Sequence, residues 1–158
     1  MNTAYIALGA NLGDPKATVL AAFAALANLP ESRVARCSSL YRTAPVGILS
    51  QPDFVNAIVL LETTLAPEAL LDALLDIEAR FGRIRRERNG PRTLDLDLLL
   101  YDDIELDLPR LTLPHPRLHL RAFVLLPLAE VAPDLAIPRR GSVAAWLPAV
   151  ANQGIVRL

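Results

Sequence analysis

Cysteine, methionine and tryptophan each occur once in the 158 residues, and histidine only twice. The lone Cys37 rules out an internal disulfide, which suits a reducing compartment, and its ordinary role is that of a small core residue. Aromatics make up 5% of the chain, too few for the stacked platforms on which RNA-binding sheets hold bases. Net charge is −1 and the isoelectric point about 6.1, so the basic face of a bulk nucleic-acid binder is missing. Lysine is nearly absent: Lys16 stands alone, and the remaining basic residues are arginines. Genomic base composition can produce such a bias, so only local clustering of arginine carries information. Long apolar runs are lacking as well. Hydrophobic residues reach 53% and mean hydropathy +0.33, yet Asp72, Asp76 and Pro127 break the runs short of the ~20 residues a membrane span requires. The N-terminus has neither the basic start nor the apolar stretch of a leader. The expectation is one domain over residues 1–158, cytoplasmic and monomeric, with no membrane or nucleic-acid partner.

What is present reads as alternating strands and helices. Thr3 to Leu8 is a buried strand. Asp14-Pro15 follows, an N-cap with proline at the first helical position, and the helix runs to about Asn28 with Val19, Phe23 and Leu26 on one face. Arg33 to Thr43 and Phe54 to Thr63 read as strands joined by an irregular loop. Pro67 to Phe81 is a second helix, closed by Gly82; Leu70, Leu74, Ile77 and Phe81 form its stripe, and Glu78 falls on the stripe's edge. Thr93 to Tyr101 is a strand, and Ile104 to Leu106 is expected to return beside it through Asp102-Asp103. This order predicts an α+β fold, an antiparallel ferredoxin-like sheet with helices packed on it.

Chemistry concentrates at Gly90-Pro91-Arg92-Thr93-Leu94-Asp95-Leu96-Asp97-Leu98-Leu99-Leu100. Strand alternation sends Leu94, Leu96, Leu98 and Leu100 to one face and Asp95 and Asp97 to the other, about 7 Å apart. Carboxylates that close repel unless a cation lies between them, and Mg²⁺ suits one or two carboxylates completed by phosphate oxygens. The bland alternative is a solvated stripe. Upstream lie Arg83, Arg85, Arg86, Arg88 and Arg92, in a segment expected to be a lid hinged at Gly82 and Gly90. Guanidinium forks match phosphate oxygens. A basic loop leading into paired aspartates offers both parts that phosphoryl transfer needs. Leu113-Pro114-His115-Pro116-Arg117, with Arg110 and Thr112 before it and His119 and Arg121 after, suits a nucleotide or phosphate contact better than Zn²⁺, the bland alternative being a rigid surface loop. Asn56, among apolar neighbours, must find polar partners, and its amide suits either a loop backbone or the edge of a heterocycle. Gly9-Ala10-Asn11-Leu12-Gly13 fits neither phosphate-loop pattern and reads as a tight turn.

Together these segments resemble the hydroxymethyldihydropterin pyrophosphokinase family. The matching strings are Ala7 to Gly13, Ser39 to Thr43, Gln51 to Asn56, Gly90 to Leu100, Leu113 to Arg117 and Arg121 to Leu128. They occur in the family's order, and the segment after Pro133 adds little. The resemblance implies a three-layer α/β/α arrangement, two Mg²⁺ ions, and transfer of pyrophosphate from ATP to 6-hydroxymethyl-7,8-dihydropterin. It also implies roles. Asp95 and Asp97 would hold the metals. Arg83 and Arg92 would act on the transferring phosphates. Glu78, Arg85, Arg88, Leu98, Arg110, Thr112, His115 and Arg121 would contact ATP. Thr43, Val46, Gly47 and Asn56 would face the pterin, with Phe54 and Phe123 on either side of its ring. Ala44, Phe54 and Asn89 depart from residues found in other members.

Overall fold

The computed structural model describes residues 1–44, 50–82 and 93–158. The first strand, β1 (Asn2–Ala10), is buried over most of its length. The chain then turns through Gly13, whose φ of 65° favours glycine. Helix α1 (Pro15–Ala27) starts where Asp14 accepts the Ala17 N–H at 3.1 Å and buries Val19, Ala22 and Leu26. Strands β2 (Ser32–Cys37) and β3 (Tyr41–Thr43) lead to β4 (Phe54–Thr63). Helix α2 (Pro67–Arg80) ends at Phe81 and Gly82, with Leu70, Leu74, Ile77 and Glu78 buried. Then come β5 (Asp95–Tyr101), β6 (Leu106–Leu108), β7 (Leu111–Leu113), α3 (Ala122–Val131), β8 (Ala136–Ile137), β9 (Gly141–Ser142), α4 (Val143–Trp146) and β10 (Ile155–Arg157).

The main sheet runs β10-β3-β4-β1-β5, with β2 also on β4, and its pairings are antiparallel. Inserting β1 between β4 and β5 gives the split order of a ferredoxin-like sheet. Side-chain alternation divides its two faces into two cores. One joins Ile6, Leu8, Ala57, Val59, Leu61, Leu94, Leu96 and Leu98 to α1 and α2. The other joins Tyr5, Ala7, Ile58, Leu99 and Leu100 to α3 and α4. The arrangement is therefore three-layered, helices on both faces.

Several expectations need correction: Cys37, expected to be a small core residue, is exposed at the end of β2. Arg33 to Thr43 is not one strand. Cys37 pairs with Val59 and Tyr41 with Asn56, so three residues, Ser38 to Leu40, pass only two on β4. Ser38 causes the break: its hydroxyl accepts the Ile58 N–H at 2.8 Å, and its own N–H donates to Ile58 O. A serine hydroxyl here substitutes for a ladder acceptor. Leu100 does not share the face of Leu94, Leu96 and Leu98. The register slips between Tyr5↔Leu100 and Ile6↔Leu98, leaving Leu99 as a bulge and turning Leu100 into the second core. Finally, the segment after the Asp102-Asp103 turn does not return along β5; β6 pairs with β7 instead.

A carboxylate ties the second face together. Glu130, near the end of α3, accepts the Ser39 N–H at 3.0 Å, the Ser39 hydroxyl at 2.8 Å and the Tyr41 hydroxyl at 2.8 Å. Burial alone would raise its pKa, but the bonds from Tyr41 and Ser39 and the charge of Arg157 together lower it below its ordinary 4.5. A carboxyl whose pKa is depressed by folding contributes stability that is complete above its unfolded pKa and is lost as pH falls through the folded value. The stability advantage of the wild type over Glu130→Gln is therefore expected to shrink as pH drops below about 4.5. Denaturant titrations of both proteins across the acid range measure this; a gap independent of pH would show that the carboxylate charge is irrelevant.

Candidate active site

The register of three neighbouring strands builds the site. Gly9 on β1 lies between Asn56 on β4 and Asp95 on β5; Ala7 lies between Ile58 and Asp97. Directly paired residues point to the same side. Asn56, Asp95 and Asp97 therefore share the second face of the sheet, with glycine and alanine between them keeping the floor low. Strand spacing of about 4.8 Å puts Asn56 and Asp95 roughly 10 Å apart. α3 covers the Tyr5, Ile58 and Leu100 end of this face, while both aspartates stay partly exposed.

Asn56 is only 6% exposed, and its Nδ2 donates to Thr43 Oγ1 at 2.8 Å. A Cβ on Gly9 would lie 3.0 Å from Asn56 Oδ1, so glycine is what lets the amide lie against the sheet. Asn11, 1% exposed, donates to Gln51 Oε1 and Pro52 O, both at 2.9 Å, fastening the end of β1 to the approach to β4. Thr43 and Phe54 pair across β3 and β4 beside Asn56, and Phe54 is half-buried. Phe123 opens α3, with the Arg121 guanidinium 5.3 Å from its ring centre, a cation–π distance.

The other flank meets the aspartates at the loop after β7. The His115 N–H donates to Leu99 O at 2.9 Å, which holds the loop against β5. Burial, and then Arg121, lowers the His115 pKa to about 4 against the opposing pull of Asp95. His115 is consequently neutral at physiological pH. Glu78, 3% exposed, accepts the Leu96 N–H at 2.7 Å; Leu96 separates the two aspartates, so the α2 carboxylate braces the strand that carries them. Leu98 is a core residue, leaving only its backbone for ligands. Arg110 ion-pairs with Asp72 of α2, and Thr112 is exposed on β7. His119 is turned away: it is buried, edge-on to Trp146 with ring centres 4.7 Å apart. Val46 and Gly47 lie outside the described residues, as do Arg83, Arg85, Arg88 and Arg92 and with them the expected lid.

Two partly exposed aspartates at the edge of a sheet are hard oxygen donors with room for further ligands, which fits Mg²⁺ completed by phosphate oxygens. Among the described residues no group of three or more His, Cys, Asp or Glu side chains could form a closed metal cage.

Residues 5–133 match the family model for 7,8-dihydro-6-hydroxymethylpterin-pyrophosphokinase (HPPK). The chain belongs to the HPPK family. Among its relatives, the 2-amino-4-hydroxy-6-hydroxymethyldihydropteridine pyrophosphokinase of Pseudomonas aeruginosa is 50% identical over 154 residues, covering 98% of this chain and 95% of that protein. The Haemophilus influenzae protein of the same name is 43% identical over 158 residues, covering 100% and 99%. The fold resembles that of a Plasmodium falciparum HPPK-DHPS crystallised with pteroate, at a TM-score of 0.76 and 14% identity. The match covers 94% of this chain but 42% of that one; HPPK-type structure thus fills less than half of the longer parasite chain.

Against this HPPK framework, two structural roles were not identified from sequence. Gly9 belongs to β1 and not to a turn, which begins at Asn11; the signal was its place in the strand that separates Asn56 from Asp95. The bracing of β5 by Glu78 was foreshadowed only by a carboxylate at the margin of an apolar stripe.

Proposed function

We propose that this enzyme transfers pyrophosphate from ATP to the hydroxymethyl group of 6-hydroxymethyl-7,8-dihydropterin, a step in folate biosynthesis, with Asp95 and Asp97 holding two Mg²⁺ ions. The observation that supports the reading is the Asn56–Gly9–Asp95 register, which sets the Asn56 amide and the Asp95 and Asp97 carboxylates on one face, about two strand spacings apart. The pterin lies along Asn56 and Thr43, between Phe54 and Phe123, a stacking arrangement that aromatic planes favour, with Val46 and Gly47 completing the pocket. ATP lies across Glu78, the Leu98 backbone, Arg110, Thr112, His115 and Arg121. Arg83 and Arg92 act on the transferring phosphates, and Arg85 and Arg88 contact ATP.

Bound Mg²⁺ would neutralise phosphate charge and align the triphosphate. The chain's residues hold the pterin hydroxyl oxygen toward the β-phosphorus. A new O–P bond forms there as the bond from that phosphorus to the oxygen bridging it to the α-phosphate breaks. AMP departs with the electron pair, and the hydroxyl proton passes to solvent water. His115 donates a hydrogen bond to phosphate. The reading treats residues 1–158 as one catalytic domain, a cytoplasmic monomer. The single domain is supported by the pairing of β10 with β3. No helix among the described residues is long and apolar enough to cross a membrane.

The experiment is product analysis by ³¹P NMR. AMP with a pterin diphosphate is expected. ADP, or released pyrophosphate, would instead indicate a different Mg²⁺-dependent phosphoryl or nucleotidyl transferase.

A further inference from the structure

The matched family segment ends at residue 133, yet the last residues of the chain lie against both elements assigned to the pterin. We propose that residues 153–157, together with Glu130, form a strap that positions Phe123 over Thr43 and Asn56. The inference rests on the pterin assignment above.

The strap grips each element. β10 extends the sheet by pairing Ile155 with Thr43 and Arg157 with Tyr41, so it supports β3 from the outer side. Gln153 holds the start of α3: its Oε1 accepts the Ala122 N–H at 2.9 Å, and its Nε2 donates to Leu120 O at 3.0 Å. Those bonds flank Arg121 and sit one residue before Phe123. At the far end of α3, Arg157 lies 3.4 Å from Glu130, which also takes the Ser39 and Tyr41 donors.

Helical geometry makes the two anchors one device. Phe123 and Glu130 are seven residues apart, within about 20° of two full turns, and so project from the same stripe of α3, about 10 Å apart along its axis. Glu130 therefore fixes the rotation and height of the stripe that presents Phe123. Its anchor, Tyr41, is the strand partner of Asn56. A shift of α3 relative to β3 would change the gap between Phe123 and the Phe54–Asn56 edge, and with it the fit of a flat ring. Of the nucleotide contacts only Arg121 adjoins these bonds; those on β5, β7 and the His115 loop do not share them. Gln153 and Glu130 are positioning residues, acting through α3.

The test is steady-state kinetics of the full chain, with pterin titrated calorimetrically in the presence of Mg²⁺ and a non-hydrolysable ATP analogue. Glu130→Gln is expected to raise the pterin KM and dissociation constant about ten-fold, the effect of losing charge-assisted bonds, with the ATP KM within about two-fold. Gln153→Leu and Tyr41→Phe each remove fewer bonds, and about three-fold pterin losses are expected. These milder variants carry the test if Glu130→Gln does not fold. Equal losses for ATP and pterin, or lowered melting temperatures with an unchanged pterin constant, would overturn the proposal. Wild-type protein that makes no pterin diphosphate would overturn the reaction itself, a result read before any variant is compared.

Discussion

Replacing Asp97 or Asp95 with alanine is expected to cut the Mg²⁺-dependent rate by at least ~10²-fold, since losing one ligand displaces the phosphates that the metals align. The fold should survive. Both side chains leave the sheet on the partly exposed side, while Leu94, Leu96 and Leu98 anchor β5 in the opposite core, and Glu78 still accepts the Leu96 N–H. Melting temperature and rate measured on the same samples separate the two effects. Near-normal turnover in both variants would remove the aspartates from the chemistry. If only one variant is impaired, a single metal ligand suffices.

Asn56→Leu is expected to weaken pterin binding by about 1–3 kcal/mol, because leucine leaves polar edges of the ring, and Thr43, without a partner. ATP affinity should change little, since Asn56 lies two strands from β5. The close approach of Gly9 to the amide also predicts a milder counterpart. Gly9→Ala places a Cβ 3.0 Å from Asn56 Oδ1, so the amide must shift, and pterin affinity should fall without loss of any polar group. Calorimetry with Mg²⁺ and a non-hydrolysable ATP analogue present resolves both. Parallel losses for ATP and pterin would point to misfolding or to a pocket elsewhere.

The parts of this site legible in the sequence are those that follow from local rules. β4 runs from Phe54 to Thr63 as expected, and α2 begins at Pro67 and closes at Gly82. The Asp95/Asp97 pair declares itself through period two. What stayed hidden depends on side chains intervening in the backbone or on contacts between distant segments. Ser38 splits a strand because a hydroxyl occupies a ladder position, and Leu99 bulges out of register, so alternation fails at Leu100. Neither event changes the apolar pattern that strand reading relies on. Glu130 appears in sequence as an ordinary surface carboxylate at a helix end; its partners lie 91 and 89 residues away, at Ser39 and Tyr41. The terminal segment looked uninformative because its strand is three residues long and its work is done by Gln153 and Arg157 on other elements. The resemblance names candidate functional residues, but nothing in it points to the bonds through which Ser38, Glu130 and Gln153 support the elements that carry them.

The most direct measurement is a crystal structure of the chain with Mg²⁺, a non-hydrolysable ATP analogue and 6-hydroxymethylpterin. Metal density is expected against both Asp95 and Asp97, bridging to the triphosphate. The pterin is expected in the plane between Phe54 and Phe123, its edge on Asn56, and its hydroxyl aimed at the β-phosphorus. A pterin bound away from Asn56, or metals held without the two aspartates, would contradict the shared-face site.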